Sequence, residues 1–133
     1  MYLNCHTGYS FKYGTLPIKT LFEEAKRCNI HKLALTEINN TSSWLEMLRT
    51  CNDNRALATG KTKFDKAPYD LDLAVGVEFR SDNDFLYIVL AKNNTGFEEI
   101  NRFLSFYNRE AKPFPVRAPK FDHAFVLYAF GTL

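Results

Sequence analysis

The chain has 133 residues, 46% hydrophobic and 24% charged, with a formal net charge of +2. That length suits a single domain over 1–133, and the composition excludes a chain that stays disordered, because enough apolar surface is available to offset the ordering entropy. No apolar run approaches the roughly 18 residues of a membrane span, and the N-terminus lacks the basic and apolar regions of a secretory leader, so no membrane contact and a cytoplasmic location are expected.

In that compartment the sequons at Asn39, Asn40 and Asn93 carry no sugar. Cys5, Cys28 and Cys51 lack the close spacing of a zinc site and read as reduced thiols. The charge balance is too weak to argue for nucleic-acid binding by itself. The unusual feature of the composition is aromatic: 12 Phe and 7 Tyr, which fill a core or line a surface meant for a partner.

In chain order, Tyr2–Cys5 alternates as a first strand, and Thr7–Gly14 is a polar, aromatic loop. Thr15 caps a helix with Pro17 in its first turn, and Ile18, Leu21, Phe22, Ala25 and Cys28 form its buried stripe. Lys32–Thr36 is a second strand. Ser43 and Glu46 form a capping box for a second helix ending near Cys51. Residues 52–72 read as a long surface loop.

Leu73–Phe79 is a third strand, Arg80–Asp84 a turn, and Phe85–Ala91 a fourth strand apolar on both faces. Thr95 and Glu98 open a third helix with Phe97, Ile100, Phe103, Leu104 and Tyr107 on one side. A Pro-rich segment spans 111–120, and Ala124–Phe130 is a last apolar strand. With no polar alternation, that strand calls for a central place in the sheet or for a homodimer contact. The order predicts an α/β fold with a mostly parallel sheet flanked by helices, too short for a complete α/β barrel of about 250 residues.

Function in such folds collects at the C-terminal ends of the strands. His6, Glu37 and Glu78 fall there, with Asn4, Ser10, Thr36 and Asn39 as polar neighbours. A His and two carboxylates can hold a divalent metal and activate water, or can be ordinary polar residues at loop starts. Gly60-Lys61-Thr62 imitates the tail of a phosphate-binding loop, but Arg55 stands where that loop needs Gly. Lys61, Lys63 and Lys66 give the same segment a basic character, which reads as a solvated face or a weak phosphate-backbone contact.

Three stretches together resemble the polymerase and histidinol phosphatase (PHP) domain family. Leu3-Asn4-Cys5-His6-Thr7-Gly8-Tyr9-Ser10 with Tyr13-Gly14 is similar to its opening H-x-H-x-x-x-S and D-G. Leu33–Asn40 is similar to A-L-T-D-H-x-N, and Val75–Phe79 to G-x-E-F. The resemblance implies the first half of a PHP-type distorted (β/α)7 barrel. It also implies kinship with the N-terminal PHP domain of bacterial DNA polymerase III α subunits, in replication or translesion synthesis.

Family enzymes use a cluster of divalent metals such as zinc or manganese. Here Asn4 stands for the first His, Tyr13 for the Asp before Gly14, and Glu37-Ile38 for D-H. The resemblance therefore implies a degenerate site at Asn4, His6, Glu37 and Glu78, with no catalytic residue and no cofactor expected. The parent would be a DNA-directed DNA polymerase. Expected partners are the remainder of that chain, an exonuclease or accessory subunit, and DNA through the parent. The alternative is a metal-dependent phosphoesterase of histidinol-phosphatase type.

Overall fold

A computed structural model describes residues 2–56, 69 and 71–131. The elements run β1 (Tyr2–Cys5), α1 (Ile18–Arg27), β2 (Lys32–Ile38), α2 (Trp44–Ala56), β3 (Asp72–Ser81), β4 (Asp84–Ala91), α3 (Asn94–Glu110) and β5 (Ala124–Leu127). The predicted β-α-β-α-β-β-α-β order is present. The strands form one sheet in the order β1-β2-β3-β4-β5. β1–β2 and β2–β3 pair parallel, while β3–β4 and β4–β5 pair antiparallel. Four of the five strands therefore point the same way and β4 alone runs back. This is the mostly parallel sheet of the sequence reading.

Alternation along the strands sorts the core into two faces. Leu33 and Leu35 of β2 meet Ile18 and Phe22 of α1 and Met47 of α2. Val77 and Phe79 of β3, with Tyr87 and Val89 of β4, meet Ile100 and Leu104 of α3. Ala34, Ile88 and Leu90 project from the opposite face with Ala74 and Leu127. Most of the aromatic surplus goes into the α3 layer. Phe79 lies 4.9 Å from Phe114 and 5.2 Å from Phe103 between ring centroids, and Phe103 lies 5.6 Å from Phe121. The Pro-rich segment is thus pinned to the core by Phe114.

Several boundaries differ from the sequence reading. α1 is capped by Pro17, with no side-chain hydrogen bond from Thr15 or any other residue. α2 runs on to Ala56 and β3 starts at Asp72, so both ends of the expected 52–72 loop belong to regular elements. The Glu46 carboxylate accepts from the Tyr9 hydroxyl at 2.6 Å, which ties α2 to the 7–14 loop. α3 is capped by Asn93, whose Oδ1 accepts from Gly96 N at 3.0 Å. Asn caps better than the expected Thr95, and Glu98 instead pairs with Arg102 four residues on at 2.6 Å.

β5 stops at Leu127 and lies at the sheet edge, so the expected central position is overturned. Tyr128 leaves the ladder because its hydroxyl accepts from Ala118 N at 2.8 Å, turning it onto the Pro-rich segment. All three cysteines remain thiols. Among the described residues, no helix is long and apolar enough to cross a membrane.

Candidate functional site at the strand ends

The C-terminal ends of β1, β2 and β3 sit side by side because these strands pair parallel, with Cys5 opposite Leu35 and Ile38 opposite Glu78. On the other side of β3, Gly76 permits the close approach of β4. A Cβ there would lie 2.3 Å from Val89 O and 2.6 Å from Leu90 Cδ2. Gly14 folds the 7–14 loop back on itself, since a Cβ would meet Thr7 O at 1.8 Å. The structure brings Asn4, His6 and Glu78 together and keeps Glu37 in a separate network.

Glu37 is fully buried. Its carboxylate accepts from Thr7 N at 3.1 and 3.2 Å and from Thr7 Oγ1 at 2.5 Å, and also from the Ser10 hydroxyl. Ser10 Oγ in turn accepts from Ile38 N at 3.0 Å. Both carboxylate oxygens are spent on tying the loop to the end of β2.

Glu78 is likewise fully buried. Asn4 Nδ2 donates to its Oε2 at 2.6 Å, and Arg80 Nε donates to its Oε1. His6 Nε2 stands 3.1 Å from Oε2, near enough for an ion pair but out of line for a hydrogen bond. Asn4 Oδ1 accepts from Thr36 Oγ1 at 2.6 Å, so both ends of that amide are engaged. Burial alone would push the Glu78 carboxyl up. The contacts from His6, Asn4 and Arg80 outweigh it and hold the group down at about 2.

Arg80 is the residue that sequence reasoning missed, having been placed in a turn. β3 continues to Ser81, and Asp82–Asn83 makes the turn. The signal was available: i and i+2 on a strand share a face, so an Arg two places after Glu78 belongs beside it. Its Cζ lies 4.4 Å over the Tyr13 ring. Its backbone is held by Asn39, which accepts from Arg80 N and donates to Arg80 O, both at 2.9 Å.

These donors do not fit a divalent metal. Both Glu37 oxygens already accept from the loop, both ends of Asn4 are taken, and the Ile38 side chain offers no ligand atom. A guanidinium already stands on Glu78. Among the described residues, no group of three or more His, Cys, Asp or Glu side chains is placed to hold a metal ion. Lys61, Lys63 and Lys66 lie outside the described residues.

No curated protein matches the chain. Among solved structures, it is similar to one described as a metal-dependent phosphoesterase from Bifidobacterium adolescentis. The two share 19% identity and a TM-score of 0.50, over 81% of this chain and 33% of that one. The chain thus spans about a third of that protein's length, and the likeness is one of fold. The PHP domain family model matches residues 3–131. With nearly the whole length matched, the chain belongs to the PHP domain family.

Proposed function

We propose that this chain is a non-catalytic PHP module, the N-terminal part of such a domain at the front of a bacterial DNA polymerase III α subunit. On this reading its sheet is half of a distorted barrel. Its work is scaffolding: packing against the polymerase body and docking an exonuclease or accessory subunit, with DNA reached only through the parent. The polymerase assignment rests on the motif resemblance. The non-catalytic assignment rests on one observation: Thr7 and Ser10 consume both Glu37 oxygens. Three donors already occupy most of the roughly four acceptor sites of this buried carboxylate, which leaves it poorly placed to hold a metal as well. The exposed Phe125 on edge strand β5 supports a homodimer contact as a further role.

The alternative, a phosphoesterase of histidinol-phosphatase type, has one feature in its favour: His6 and Glu78 still face each other at 3.1 Å. Elemental analysis and a phosphomonoester assay separate the two. Less than stoichiometric zinc, manganese or iron and no turnover is the expected result. One tightly held metal per chain with turnover establishes the enzyme. Sequencing the surrounding reading frame tests the parent: palm-domain carboxylates downstream are expected.

A further inference from the structure

We propose that Arg80 is a built-in cation, filling the place at Glu78 that an external cation would take, and that Tyr13 locks it there. The proposal deepens the non-catalytic reading and rests on it. A carboxylate as deeply buried as Glu78 needs a donor or a positive charge at each oxygen. Asn4 serves Oε2, and Arg80 Nε serves Oε1.

The guanidinium is held from several directions. The electron-rich face of Tyr13 covers it at 4.4 Å. The Tyr13 hydroxyl donates to Asn83 Oδ1 at 3.1 Å, fixing the ring to the β3–β4 turn. Arg80 Nη1 reaches Asn83 O at 3.4 Å. Its side chain retains 18% exposure, whereas Arg27, Arg102 and Arg109 in exposed ion pairs keep 71–79%.

Two residues therefore complement each other. An acid at position 13 would draw Arg80 away from Glu78, whereas an aromatic ring covers it without competing. A second observation marks the place as suited to a cation. His6 Nε2 is buried beside Glu78 and has no aligned hydrogen-bond partner. Without Arg80, Glu78 Oε1 would lose its donor, on a carboxylate whose other oxygen already faces the His6 nitrogen.

The test uses manganese ion alone as the probe, with affinity read by the electron paramagnetic resonance of the unbound ion. Arg80→Met is expected to bind at least about tenfold more tightly than the native chain, a difference of ~1.4 kcal/mol. Glu78→Gln in the same background should abolish that gain. Tyr13→Leu, which keeps Arg80 but unlocks it, should show a smaller gain and covers the case in which Arg80→Met does not fold. Equal affinity in the native chain and in whichever of the two variants folds would overturn the proposal. Turnover of a phosphomonoester by the native chain would instead overturn the non-catalytic reading, since the manganese comparison uses no activity.

Discussion

Asn39 and Arg80 face each other as if they were backbone neighbours in a ladder. The Asn39 amide donates to Arg80 O and accepts from Arg80 N, both at 2.9 Å, while Asn39 N donates to Glu78 O at 3.0 Å. Asn39 sits at φ 53°, in the left-handed region that Asn tolerates better than most residues. Its side chain thus adds one more rung between β2 and β3 after the chain has turned away.

Asn39→Ala removes two part-buried hydrogen bonds and keeps the left-handed backbone, so it should destabilise by about 2–3 kcal/mol. Asn39→Gly relieves the backbone and should cost about 1 kcal/mol less. Urea unfolding of both variants checks the order. Equal losses would show that the side-chain bridge, not the backbone angle, carries the whole effect.

Glu78 ties stability to acid. Its folded carboxyl is held at about 2 against an ordinary 4.5. A depressed folded value stabilises above the unfolded value and is lost as pH falls through the folded one. The contribution, on the order of 3 kcal/mol, should fade between about pH 5 and pH 2. Glu78→Gln should flatten that part of the curve while lowering stability at neutral pH, because Arg80 is left without its anion. Unfolding midpoints from pH 7 to 2 for both proteins measure it.

Gly14→Ala should unseat the 7–14 loop, since the new methyl would overlap Thr7 O. Loss of the Thr7 and Ser10 bonds to Glu37 follows, at a cost of at least about 3 kcal/mol. Hydrogen exchange at Thr7, Gly8 and Ser10 amides should accelerate far more than at Val89. A variant with native protection in the loop would refute this.

Cys5 should be the slow thiol. Burial, with Glu37 nearby, pushes it up to about 11, whereas Cys28 is exposed. Thiolate is the reactive form, so iodoacetamide at pH 8 should label Cys28 well before Cys5. Mass spectrometry of timed samples reads the order, and denaturant should abolish the difference.

Much of the fold was legible because periodicity survives where faces are cleanly divided. β4 reads as apolar throughout because α3 covers one face, while Ile88 and Leu90 pack on the other. The stripe of α3 reads for the same reason. β5 misled because Ala124 and Val126 pack toward α3, Leu127 toward the opposite face, and Phe125 stays exposed. An apolar run there signals two half-covered faces rather than a central strand. At the site, His6 and Glu78 were found as chemistry-bearing residues. Arg80 was not, because its role depends on a strand extending past the motif and on a ring arriving from sixty-seven residues earlier.

The reversal of β4 also sets how the sheet is assembled. β3 and β4 meet through a turn at Asp82–Asn83, with Ser81 opposite Asp84, so their pairing closes a minimal loop. β1–β2 and β2–β3 each need a helix-bearing crossover before the first rung can form. Closing those longer loops costs more chain entropy before any contact returns it. The β3–β4 hairpin is thus expected to form first, and the strand-end cluster late. Asn4 and His6 reach Glu78 only when the most distant parallel strand has docked.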